Sequence, residues 1–140
     1  MEIKKVRSII TVLMIVAVIM LPACVRQPDT LEDYYNNSGD IYDKVNSAIE
    51  DSEVKLDIVD NDIIYTYELS GIDGYNEKVL KNEDVIEKLI YNLKEREEEF
   101  TGICADTESA TKLSNIRVIV RYTYDGEEVV SQVFTAEGSE

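Results

Sequence analysis

The residues with the clearest chemical potential are Leu21, Pro22, Ala23 and Cys24. A cysteine that follows a small residue, with leucine three positions before it, is the pattern required for diacylglyceryl transfer to the thiol and for cleavage before that cysteine. Pro22 departs from the small or β-branched residue that is usual at its position. We therefore predict a lipobox over 21–24, with Cys24 as the lipidation site.

The segment before Cys24 has the organisation of a signal peptide. Lys4, Lys5 and Arg7 precede an apolar run of thirteen residues, Ile9–Leu21, which is shorter than the about 20 residues that a spanning helix needs. We predict a lipoprotein signal peptide over 1–23 and a chain held by acyl groups on the extracytoplasmic face of the cell membrane. An uncleaved anchor and an ordinary secretory signal are the alternatives.

The charge of the chain limits its partners. The formal net charge is −15, and residues 1–23 carry three bases and one acid, so residues 24–140 carry −17. Such an acidic body repels nucleic-acid phosphates and anionic lipid headgroups. We expect no nucleic-acid partner, and contact with the membrane only through the lipid on Cys24.

The sequence lacks the usual catalytic residues. It contains no histidine, which is the commonest general base and metal ligand. Its second cysteine, Cys104, lies between Ile103 and Ala105, and this setting predicts a buried thiol. We therefore expect no enzyme and no cofactor. A wall-polymer hydrolase that uses paired carboxylates is the alternative.

One group of carboxylates is a weak candidate for a calcium site. Asp57, Asp60 and Asp62 cluster around a predicted turn, but they lack the spacing and the glycine of an EF-hand loop. Solvated turn residues explain the same pattern, so we predict no metal site.

After a short tether over 24–29, residues 30–136 are predicted to form one domain, followed by a disordered tail over 137–140. Thr30 suits a helix N-cap, and apolar residues over 41–49 are spaced for a second helical stripe. Alternating residues then predict a hairpin with a turn at Asp60-Asn61, in which Ile58 faces Ile63.

The second half of the domain repeats this order. A long helical stretch begins at Asn76 or Asn82 and runs towards Leu113, with a kink or break expected at Gly102. A second hairpin turns at Asp125-Gly126. The predicted fold is α+β, with helix-strand-strand repeated twice and a four-stranded antiparallel sheet that packs its helices on one face.

The sheet face without helices is the predicted binding surface. Its residues on the last hairpin are Arg117, Ile119, Arg121, Val130 and Phe134. Two arginines beside apolar groups suit an acidic or aromatic partner. We predict a non-catalytic protein- or ligand-binding module with a partner near the membrane surface. An accessory envelope subunit and an inhibitor or immunity-type protein are alternatives.

Several segments also resemble a known family. They are Cys24, Thr30–Tyr34, Asn61–Tyr67 and the closing hairpin from Ile116 to Gly126. In these the chain resembles domain of unknown function 4854, a set of small lipoproteins from low-GC Gram-positive bacteria. The resemblance implies a lipid-anchored location and an α+β fold, and it implies no activity.

Overall fold

The protein is described from a computed structural model, which covers residues 28–37 and 54–140. The signal peptide, Cys24 and the helical stripe predicted over 41–49 lie outside these residues. The described chain is a mixed α+β domain, and its helices are α1 (Leu31–Asn36), α2 (Glu77–Leu80), α3 (Glu83–Lys94) and α4 (Glu97–Thr111). Its strands are β1 (Val54–Val59), β2 (Asp62–Glu68), β3 (Arg117–Tyr124), β4 (Glu127–Thr135) and β5 (Gly138–Ser139).

Side-chain caps begin three of the helices where the sequence predicts them. The Thr30 hydroxyl accepts a hydrogen bond from the Asp33 backbone N–H at 3.1 Å. Asn76 caps α2 and Asn82 caps α3 in the same way. Both predicted starting points are therefore used, because the long helical stretch is divided into separate helices.

The main break in that stretch lies at Glu95-Arg96, so the expectation of a break at Gly102 is wrong. Arg96 precedes α4 without a side-chain cap, and its guanidinium binds Glu99 at 2.8 Å. Gly102 lies inside α4, where a Cβ atom built on it meets no atom within 4 Å. Nothing in the helix therefore requires a glycine at this position.

Replacing Gly102 by alanine should stabilise the fold by about 1 kcal/mol, because alanine loses less backbone entropy in a helix interior. Urea unfolding of the two proteins measures the difference. Gly126→Ala is the control and should destabilise, because Gly126 has a φ of +82°. A loss of stability in Gly102→Ala would contradict the open space beside this glycine.

The first hairpin has the predicted register. Ile58 pairs with Ile63, Leu56 with Tyr65, and Val54 with Tyr67. The turn is at Asp60-Asn61, and Asp60 adopts a φ of 52°, which aspartate tolerates better than most residues. The two-residue turn thus places the apolar residues of both strands on one face of the sheet.

The sheet differs from the prediction in strand number and direction. It has five strands in the order β1-β2-β3-β4-β5, and β2 lies parallel to β3. The reason is that the chain from β2 to β3 passes through α2, α3 and α4, so β3 begins at the same edge as β2. The two hairpins therefore join through a parallel central pair, and the sheet is not wholly antiparallel.

A β-bulge in the second hairpin reverses part of the predicted binding surface. From the turn, Tyr124 pairs with Glu127 and Thr123 with Glu128, but Tyr122 then pairs with Val130. The extra residue shifts all later pairs by one and so exchanges their faces. Phe134 consequently pairs with the buried Val118 and is 0% exposed. The prediction that Val130 and Phe134 lie beside the two arginines is wrong.

The C-terminal residues are ordered by pairing with β4, which corrects the prediction of a disordered tail over 137–140. Gly138 pairs with Thr135, and Ser139 pairs with Phe134. The backbone N–H of Ser139 also donates to Glu97 Oε1 at 2.7 Å. This contact ties β5 to the first turn of α4, where the positive end of the helix dipole favours a carboxylate.

The core lies between the helices and one face of the sheet. The Phe100 ring on α4 packs 4.8 Å from that of Phe134 and 6.3 Å from that of Tyr65. Cys104 is fully buried, as predicted, and its thiol donates to the Phe134 carbonyl at 3.4 Å. Burial raises the pKa of this thiol to about 11, so it is not a reactive nucleophile at neutral pH.

Candidate functional site

The candidate site is the sheet face opposite the helices, which we call the open face. It carries the outward-pointing residues of the strands. Three of them are aliphatic and lie side by side on neighbouring strands: Ile64 on β2 pairs with Ile119 on β3, which pairs with Val133 on β4. All three are partly exposed. Together they form the apolar row, which spans about 10 Å at the usual strand spacing.

Arg117 lies at one end of this face and forms an ion pair with Asp62 of the same chain. Its Nε and Nη2 atoms donate to the two carboxylate oxygens of Asp62 at 2.7 and 2.6 Å. Hydrogen bonding and the charge of Asp62 raise the pKa of the guanidinium. The Nε and Nη2 donors of Arg117 are therefore both paired with one carboxylate, and this bidentate ion pair links β3 to β2.

Arg121 lies two residues further along β3 and has a different neighbour. Its Nε donates to the Thr66 hydroxyl at 2.9 Å. Within the described parts of the chain, no carboxylate forms an ion pair with it. The two predicted arginines thus share the open face with Ile119, but only Arg121 keeps a charge that no neighbouring acid neutralises.

The three aspartates of the weak calcium candidate do not form a metal site. Asp62 is bound by Arg117, and Asp57 forms an ion pair with Lys55 at 3.3 Å. Across residues 28–37 and 54–140, no group of three or more acidic or cysteine side chains is placed to hold a metal ion. The carboxylates of Asp57 and Asp62 thus make contacts within the protein.

Glu68, at the end of β2, is a structural carboxylate that no pattern of neighbouring residues identifies. One oxygen accepts from the backbone N–H groups of Ser70 and Asp125 at 3.1 and 2.7 Å. The other accepts from the Thr123 hydroxyl at 2.7 Å and from the Gly126 N–H at 3.2 Å. These bonds fasten the β3–β4 turn to β2 and lower the pKa of Glu68 to about 2.

Substituting Glu68 by glutamine should lower the melting temperature at pH 7 and weaken its pH dependence. Because the folded-state pKa lies below the ordinary value of 4.5, the contribution of Glu68 is present above pH 4.5 and is lost as the pH falls to 2. Melting curves of both proteins between pH 7 and pH 2 test this. A constant difference between the curves over that range would contradict it.

Two clefts lie away from the open face. One, of about 600 Å³, is lined by α2 and the β3–β4 turn, including Glu77, Lys81 and Tyr124. The other, of about 400 Å³, lies between α4 and the C-terminal residues and includes Lys94 and Glu97. Both are shallow and rich in acids, and neither contains a residue from the predicted binding surface.

Comparison with known proteins gives the family and no activity. The family model described as Domain of unknown function (DUF4854) matches residues 31–134, so the chain belongs to this family. Neither a curated protein nor a solved structure matches the chain. Among the described residues, no helix is long and apolar enough to cross a membrane.

Proposed function

We propose that this member of the DUF4854 family is a lipid-anchored, extracytoplasmic module that binds a protein or peptide through its open face. Attachment would be through Cys24, and the five residues between this cysteine and Thr30 would keep the domain within about 17 Å of the membrane. The partner would then lie near the membrane surface. The protein would bind this partner without a catalytic step.

The apolar row is the observation that carries the binding role. Three aliphatic side chains lie partly exposed in one line across the sheet. They are flanked by the guanidinium of Arg121, which forms no ion pair with an acid of the described residues. The helix side of the same sheet is filled by the core. A flat surface that combines aliphatic groups with arginine is typical of protein interfaces, where Arg is enriched and apolar groups occupy the centre.

The anchor is tested by feeding intact cells an alkyne-bearing palmitate analogue. The wild-type chain should incorporate the label and Cys24→Ala should not, because the thiol is the acceptor. Cys104→Ala serves as the control for the second cysteine and should remain labelled. Equal labelling of the wild type and Cys24→Ala would remove the proposed location.

The binding face is tested by photo-crosslinking on intact cells. A benzophenone amino acid placed at Ile119 should give one discrete crosslinked product. The same probe at Lys88, an exposed residue of α3 on the helix side, should not give that product. If both positions gave the same products, or if Ile119 gave none, the open face would not be the binding surface.

A further inference from the structure

We infer that the open face recognises an extended acidic peptide, whose carboxylate binds Arg121 while an aliphatic side chain two positions away packs on Ile119, at the centre of the apolar row. This inference rests on the proposed function and deepens it by naming the chemistry of the partner. It depends on a comparison between two arginines that occupy equivalent places on the same strand.

The register of β2 and β3 makes the two arginines directly comparable. Asp62 is the cross-strand partner of Arg117, and Thr66 is the cross-strand partner of Arg121. Both arginines therefore meet a β2 side chain in the same parallel geometry. In the first pair the β2 residue, Asp62, supplies a carboxylate that accepts hydrogen bonds from Nε and Nη2 of Arg117.

In the second pair, threonine supplies one hydroxyl oxygen and no charge. It accepts from Nε of Arg121 at 2.9 Å. No acid of the described chain forms an ion pair with the rest of this guanidinium. A carboxylate from a partner could accept hydrogen bonds from the guanidinium of Arg121, as the carboxylate of Asp62 does from Arg117. Such bonds between charged groups are stronger than bonds between neutral groups.

The shape of the surface favours a peptide over a small acid. The site is the face of a sheet, and neither of the two clefts described above is lined by Arg121 or by a residue of the apolar row. Arg121 and Ile119 are two residues apart on one strand, a spacing of about 6.6 Å. An extended peptide with an acidic residue two positions from an aliphatic one has the same spacing. At physiological salt the interactions between exposed charges are screened over about 8 Å, so the charges nearest the peptide carboxylate contribute most to its binding.

The test uses the full chain in a neutral detergent and two fluorescent probe peptides. The first is acetyl-Val-Thr-Glu-Thr-Val-amide, and the second has glutamine in place of glutamate. Fluorescence anisotropy should show that the glutamate peptide binds about tenfold or more tightly than the glutamine peptide, because a hydrogen bond between charged groups replaces a neutral one.

Matched variants then assign the difference to one residue. Arg121→Gln should abolish the preference for glutamate. Thr66→Asp should also abolish this preference, because the new carboxylate would form an ion pair with Arg121 within the protein. Arg117→Gln should retain the preference for glutamate, because Arg117 is already paired with Asp62 and does not bind the peptide. Circular dichroism shows whether each variant is folded, and Thr66→Asn controls for the change at β2 without adding charge.

The failures of the inference and of the proposed function are distinguishable. If both peptides bind equally and an Ile119→Asp variant loses both, the open face binds peptides but the carboxylate inference is overturned. Retention of the glutamate preference in Arg121→Gln overturns it as well. Absence of binding by either peptide at millimolar concentration also overturns the inference, and photo-crosslinking from Ile119 then decides the proposed function separately.

Discussion

Replacing Phe134 by alanine should lower the free energy of unfolding by about 3–5 kcal/mol. Phe134 is 0% exposed, and its ring packs 4.8 Å from that of Phe100. The substitution would leave a cavity between α4 and the sheet. Since a domain of this size is stable by about 5–15 kcal/mol, the expected loss is a large part of the total.

The control for this prediction is Val133→Ala, the adjacent residue of β4 on the open face. It should cost about 1 kcal/mol or less, because Val133 remains partly exposed. Urea unfolding measures both variants, and Phe134→Leu provides a milder change if the alanine variant does not fold. If Val133→Ala were the more damaging substitution, the assignment of faces after the bulge would be reversed.

Replacing Tyr65 by phenylalanine should stabilise the protein, by about 1 kcal/mol. The side chain is 1% exposed, and its hydroxyl has no hydrogen-bond partner among the described residues. A buried polar group without a partner costs about 1–3 kcal/mol, and phenylalanine fills the same space without it. The strand register places Tyr65 on the core face of the sheet but gives no information about the surroundings of its hydroxyl.

The same variant has a distinct pH signature. Burial, followed by the nearby Tyr67, raises the pKa of the Tyr65 hydroxyl above its ordinary value of 10. Its neutral form is therefore favoured in the folded state, and stability should fall as the pH rises above 10. Tyr65→Phe should lose less stability there than the wild type, because it lacks the hydroxyl that titrates. A destabilised Tyr65→Phe protein would mean that the hydroxyl has a partner.

The local features of the fold follow from short sequence signals. The first hairpin is predictable to the residue because a two-residue turn fixes the register of both strands. The caps at Thr30, Asn76 and Asn82 are equally local, since each side chain serves a backbone N–H two or three residues ahead. Burial of Cys104 follows from its apolar neighbours.

The features that require distant contacts were not predictable in the same way. The Asp125-Gly126 turn is correctly predicted, and both of its residues have positive φ. The bulge that follows is not predicted, because no residue type near it indicates a bulge. That single extra residue moved Phe134 from the expected binding face into the core. The pairing of Asp62 with Arg117 depends on two parallel strands 55 positions apart in the chain, so spacing alone does not reveal it.

We propose that a partner covers the open face when the protein is on the outside of the cell. The most direct test compares the rates at which a membrane-impermeant maleimide modifies Ile119→Cys and Lys88→Cys, in the purified chain and on intact cells. We predict that both positions react on intact cells and that the rate at Ile119→Cys, relative to Lys88→Cys, is lower there than in the purified chain. An unchanged ratio, or modification of Lys88→Cys only after lysis, would contradict the account.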